Sequence, residues 1–132
     1  MTTQGRMCYS ENGINWTSVT LPNNSFSSYG CAYGKGKYVM LGYSNNIGFV
    51  SENGLEWKQI TLPESSTWYD ITYGLGIFVA FSMGSNKILW SSDAETWHVV
   101  TIPNVSLRSV TYGNNKFIAM AEDRIILLSQ KR

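Results

Sequence analysis

Cleavage of a glycosidic bond takes two carboxyl groups about 5 Å or about 6.5 to 9.5 Å apart, and the acids that could serve are Asp70 and the adjacent Glu122 and Asp123. Each has a simpler role, Asp70 as a polar side chain facing water and Glu122 with Asp123 as a solvated hairpin tip. Sugar binding without catalysis asks instead for an aromatic face with polar neighbours. Trp68, preceded by Ser65, Ser66 and Thr67, fits that description, together with Tyr69, Asp70 and Arg108 and the loop asparagines Asn45, Asn46 and Asn86. These seven residues are the expected ligand-binding set; the rival reading has Trp68 simply filling a gap in packing. His98 follows Trp97 with no cysteine or carboxylate at metal-binding spacing, so neither a metal nor a cofactor is expected.

The elements that position these groups belong to a small, nearly neutral chain. At 132 residues, 43% hydrophobic and 14% charged, it is expected to fold as one domain over residues 1–132. Ten basic residues against nine acidic ones give no basic footprint for nucleic acid. No apolar run approaches the roughly 20 residues of a membrane span. Met1 to Arg6 lacks the apolar stretch of a signal peptide, which predicts a cytoplasmic or virion-associated protein.

A repeat dominates the rest. Ser10 to Trp16, Ser51 to Trp57 and Ser91 to Trp97 superimpose, with their tryptophans 41 and 40 residues apart. Each is followed by an alternating stretch that closes on Pro22, Pro63 or Pro103, where a strand must end for want of a ladder donor. A second landmark keeps the same period: Tyr33-Gly34, Tyr73-Gly74 and Tyr112-Gly113, each leading through a tight turn into an apolar run. Cys8 aligns with Phe49, Leu89 and Leu127, and Cys31 with Ile71 and Val110, which predicts two buried free thiols.

One unit reads as four strands. Ser27 to Tyr33 turns at Gly34-Lys35-Gly36, where glycine supplies positive φ, into Lys37 to Tyr43, which is apolar enough to be buried on both faces. A polar turn at Ser44-Asn45-Asn46 then leads to Ile47 to Ser51, and the Ser-to-Trp motif turns the chain into Glu56 to Leu62. Four antiparallel strands in about 40 residues predict a β-propeller blade, and the chain as a whole an all-β protein.

The Ser-x-Asn-Gly-x-x-Trp elements resemble Asp-box repeats, also called bacterial neuraminidase repeats. The resemblance implies that the serine and the acid or amide bond the turn's own backbone, a role falling on Ser10 and Asn12, Ser51 and Asn53, and Ser91 and Asp93. It implies that Trp16, Trp57 and Trp97 pack between blades. The chain departs from that family's pattern: each motif is one residue shorter, two have Asn for Asp, and Ala94 stands where Gly13 and Gly54 do. Similar tandem repeats occur in phage and bacterial surface proteins. A sialidase, the enzyme first implied, would need three arginines around its substrate carboxylate. This chain has Arg6, Arg108, Arg124 and Arg132, of which only Arg108 begins an inner strand.

The expected strands number thirteen: two N-terminal, two full units of four, and three C-terminal. Three blades cannot close a ring. A two-fold homodimer forming six blades is the first expectation; another closed ring, or a fragment whose other blades lie elsewhere, stands beside it. One terminal strand per chain, Arg6 to Ser10 or Arg124 to Ser129, would then be redundant. The expected function is a non-catalytic module recognising a glycan or protein receptor in a phage tail or bacterial surface assembly. The alternatives are an assembly scaffold without a small ligand and, third, a polysaccharide hydrolase.

Overall fold

The computed structural model describes residues 6–20, 28–102, 106–121 and 126–129. The strands are β1 (Arg6–Tyr9), β2 (Thr17–Thr20), β3 (Ser28–Gly34), β4 (Lys37–Ser51), β5 (Lys58–Gly74), β6 (Ile77–Ser82), β7 (Lys87–Ser91), β8 (His98–Thr101), β9 (Leu107–Gly113), β10 (Lys116–Ala121) and β11 (Ile126–Ser129). No helix occurs among the described residues. Every pairing is antiparallel, in the orders β1-β2, β3-β4-β5-β6-β7-β8 and β11-β10-β9.

Two strands are longer than the sequence pattern predicts. β4 absorbs the polar turn expected at residues 44 to 46, because Tyr43 and Asn45 pair with Thr67 and Ser66 of β5. β4 nevertheless doubles back on itself: a Cβ on Gly48 would lie 3.0 Å from the carbonyl oxygen of Met40, eight residues earlier. β5 runs through Pro63, expected to end a strand. Proline is tolerated because the β4–β5 register jumps between Thr61 and Ser66, so no ladder donor is needed there. Counted by arms, β3, both arms of β4 and the first arm of β5 make one four-stranded blade. The second arm of β5 with β6, β7 and β8 makes the next. Strands β9 to β11 supply three strands of a third, and β1 with β2 form an outer hairpin.

Tight turns link the strand pairs. Positive φ at Lys35 and Gly36, Leu75 and Gly76, and Asn114 and Asn115 matches the two-residue hairpin geometry that right-handed strand twist demands. Apolar residues then alternate between two blade faces, and β6 is buried along its whole length because it lies between neighbouring blades.

Three packed layers result. Val39, Leu41, Val50, Ile60 and Leu62 of the first blade meet Trp68, Ile71, Phe78, Ala80, Leu89 and Trp97 of the second. Ile77, Val79 and Phe81 on the second blade's other face meet Leu107, Val110, Phe117 and Ala119 of the third. Met40, Phe49 and Trp57 on the first blade's outer face receive Met7 of β1.

The Tyr-Gly pairs acquire a physical reason here. A Cβ on Gly34 would lie 2.3 Å from ring atoms of Tyr73, and one on Gly74 would lie 2.2 Å from the ring of Tyr112. Each glycine is the seat on which the next blade's tyrosine rests.

Both thiols depart from expectation, for Cys8 and Cys31 are exposed. Their counterparts Leu89 and Ile71 are buried because a preceding blade covers them; the corresponding faces of β1 and β3 lack that cover. Trp16 differs for the same reason, with 61% of its surface exposed where Trp57 and Trp97 are buried.

Candidate functional site

The Ser-to-Trp turns are built alike in all three units. In the third, Ser91 Oγ accepts hydrogen bonds from the Asp93 and Ala94 N–H groups at 3.3 and 2.8 Å and donates to Asp93 Oδ1 at 3.0 Å. Asp93 Oδ1 accepts from the N–H groups of Glu95 and Thr96 at 2.9 and 2.8 Å. Ser51 with Asn53, and Ser10 with Asn12, make the same bonds. These side chains cap a turn's backbone, which is structural work. Trp57 and Trp97 each donate Nε1–H to the carbonyl of the left-handed residue, Gly54 or Ala94, at 3.0 Å.

Those backbone N–H bonds hold the Asp93 carboxyl well below its usual range, at about 2. Lys35 and Lys37, from the first blade's hairpin, donate to the carbonyls of Ser92 and Asp93 at 3.1 Å. Glu95 accepts from Lys58 at 3.0 Å and lies 3.7 Å from Lys37, and Lys58 draws its carboxyl downward. A cleft of 280 Å³ opens beside the Ser51-to-Trp57 turn, bordered by Lys37, Lys58 and Glu95. Its Lys37, Lys58 and Glu95 are already spent on clamping blade to blade.

Trp68 is not a ligand platform. Only 1% of its surface is exposed, it sits in the layer between the first two blades, and its Nε1–H bonds the Glu64 carbonyl at 3.2 Å. The repeat break that singled it out marks a larger packing gap, the simpler of the two roles weighed from sequence. Asp70 is half-buried on the inner arm of β5, with its Oδ1 accepting from the Ile71 N–H at 2.9 Å. A Cβ on Gly30 of the neighbouring inner strand would stand 2.8 Å from that oxygen, so the carboxylate fills space the glycine leaves. His98 is exposed and stacks against Trp90 with centroids 4.4 Å apart. No cluster of metal-ligating side chains occurs among the described residues.

Other expected site residues do converge. The loop 83–86 is held between two inner strands: the Met83 N–H bonds the Thr67 carbonyl at 3.0 Å, the Gly84 N–H bonds the Leu107 carbonyl at 2.9 Å, and the Leu107 N–H returns to Ser85 at 2.8 Å. Asn86 holds the outer strand through its carbonyl, which accepts the Ile102 N–H at 2.9 Å. Met83 packs in one cluster with Tyr69, and exposed Arg108 directs Nη1 to its sulfur at 3.6 Å. Tyr69, Met83 and Arg108 thus form one patch at the mouth of the inner strands. Met83 was missed as a site residue because a lone methionine in a loop carries no signal until the fold packs it against the same cluster as Tyr69 and brings Arg108 to its sulfur. Asn46 is exposed, while Asn45 is drawn into the ladder opposite Ser66. Glu122, Asp123, Arg124 and Arg132 lie outside the described residues.

No family model matches this chain, and no curated protein matches it. Solved structures do. A streptogramin B lyase superposes with TM-score 0.75 at 14% identity, covering 97% of this chain and 48% of that one. Virginiamycin B lyase from Staphylococcus aureus gives 0.74 at 17% identity over 96% and 49%. YCF48 bound to D1 peptide gives 0.66 at 16% identity over 99% and 48%. These are β-propeller proteins, and the present chain is an all-β, partial β-propeller spanning about half their length.

Proposed function

We propose that this chain is a non-catalytic recognition module that binds a protein surface through the mouth formed by Tyr69, Met83 and Arg108. The observation that carries this reading is that patch: a half-buried tyrosine and methionine packed against one buried cluster, with an exposed arginine directed at the methionine sulfur. Tyr, Met and Arg are the side chains enriched where protein interfaces concentrate their binding energy. Burial of Trp68 removes the aromatic face on which glycan binding depended, and the bonded, packed position of Asp70 suits structure better than acid catalysis. A structural neighbour described with a bound peptide supports a peptide or protein ligand over a sugar. In this reading the module works within a phage tail or bacterial surface assembly, the setting the repeat resemblance implies.

The test is to probe a peptide array and a glycan array with the full chain and with Arg108→Ala. Peptide binding weakened at least about tenfold by the substitution, which corresponds to about 1.4 kcal/mol, is the expected result. Binding to sugars alone, or peptide binding indifferent to Arg108, overturns the reading.

A further inference from the structure

The joint between blades occurs twice inside this chain, and its two halves appear once more, unjoined, at opposite ends. Tyr73 rests on Gly34 and Tyr112 rests on Gly74. The third glycine of the series, Gly113, has nothing within 4 Å of a Cβ built on it. The first tyrosine, Tyr33, leans on Tyr38 as Tyr73 leans on Phe78 and Tyr112 on Phe117, yet it is 56% exposed. A second pair repeats the pattern. Ile60 and Trp97 are buried in one interblade cluster. Val100, the counterpart of Ile60, is 43% exposed, and Trp16, the counterpart of Trp97, is the exposed tryptophan of the N-terminal hairpin. Met120 is exposed where its counterparts Leu41 and Phe81 are buried. Each open half therefore has its complement on the same chain, at the far end.

We infer that a second copy of this chain covers these faces, seating Tyr33 of each copy on Gly113 of the other and laying the β1–β2 hairpin of each along β10 of the other. Two copies then supply four complete blades and two shared ones. The register fixes which terminal strand gives way. Cys8 pairs with Ser18 as Leu89 pairs with Val99, and Met7 with Val19 as Ile88 with Val100, so β1–β2 is a ready-made copy of β7–β8. The Ser10 and Asn12 turn welds β1 to β2 with the same bonds that weld β7 to β8. The hairpin docks as a unit, and β11, which now occupies the edge of β10, is the strand displaced. The arrangement is independent of the recognition patch, which lies at the inner-strand mouth.

Gly113 gives a selective test, because a side chain there meets nothing in the single chain but would strike the incoming tyrosine ring in the pair. Light scattering on the full chain is expected to give twice 14.8 kDa, and Gly113→Val is expected to give the single-chain mass with its β-sheet circular dichroism intact. Thiol labelling provides a second reading. Cys8 would be shielded in the pair, as Leu89 is shielded within the chain, so it should label slowly in the wild type and rapidly in Gly113→Val. Cys31, whose thiol is already pushed up by burial within the single chain, is replaced by serine for this reading. Strand exchange itself is read by Ala119→Cys in a Cys31→Ser background. Leu89 lies opposite Ala80 in β7–β6, so Cys8 of one copy would lie opposite position 119 of the other, within reach of an intermolecular disulfide. A wild-type mass of one chain at every concentration, or a dimer that ignores Gly113→Val, overturns the pairing. A dimer that forms no such disulfide overturns the displacement of β11.

Discussion

The three Ser-to-Trp turns contain their own control experiment, because Asp93 does in one what Asn12 and Asn53 do in the others. Asp93 Oδ1 accepts two backbone N–H bonds, and these hold its carboxyl at about 2, against 3.8 for the free side chain. A carboxyl depressed by folding adds stability that is complete above its unfolded value and disappears as pH falls through the folded one. The window for Asp93 therefore runs from about pH 4 down to about pH 2. At about 1.4 kcal/mol per unit, a shift of that size has a ceiling near 2.5 kcal/mol. The carboxylate is exposed to solvent, so screening reduces the contribution to about 1 kcal/mol. Asp93→Asn keeps the acceptor oxygen and removes the charge. At pH 6 the variant should be less stable by about 1 kcal/mol, which lowers the melting point by about 3 to 5 °C for a domain of this size. By pH 2 about half of the folded Asp93 carboxyls are protonated, so most of the difference should be gone, and it should close completely below that pH. Calorimetric scans of both from pH 6 to pH 2 make the measurement; Glu95, whose carboxyl Lys58 also depresses, is present in both and largely cancels in the difference. Curves that stay parallel over the whole range would show that the charge on Asp93 adds nothing to the turn, and the reasoning would fail.

Gly74→Ala should destabilise the chain by about 1 to 3 kcal/mol in urea titration, because its new Cβ would stand 2.2 Å from the Tyr112 ring. Trp68→Ala should cost about 3 to 5 kcal/mol, since the side chain is core; a native melting curve in that variant would restore Trp68 as a candidate ligand residue. Removing the half-exposed Lys87 and Glu64 ion pair with Lys87→Met should change the unfolding free energy measured in urea by less than about 1 kcal/mol.

Much of this architecture was legible in the sequence because each repeat writes the same local physics. Period-two alternation, tight-turn glycines and the Ser-to-Trp motif all act over a few residues, so strand order and the four-stranded blade followed directly. Positive φ at Gly36 and Gly76 was equally local. Where neighbouring strands set the outcome, the sequence was silent. Asn45 looked like a turn former until pairing with Ser66 drew it into β4, and Pro63 looked like a terminator until the register jump beside it removed the need for its N–H. Identity of type did not settle burial either: Trp57 and Trp97 are covered by blades while Trp16 is bare, and Cys31 is exposed where Ile71 is buried. A sequence repeat specifies which face of a strand is apolar, but only the stacking of blades decides whether that face is covered. The same distinction governed the candidate site. Trp68 stood out by breaking the repeat and proved to be core, whereas Met83, unremarked in the chain, came to share a buried cluster with Tyr69 and to receive Arg108 once the loop 83–86 was pinned between two inner strands.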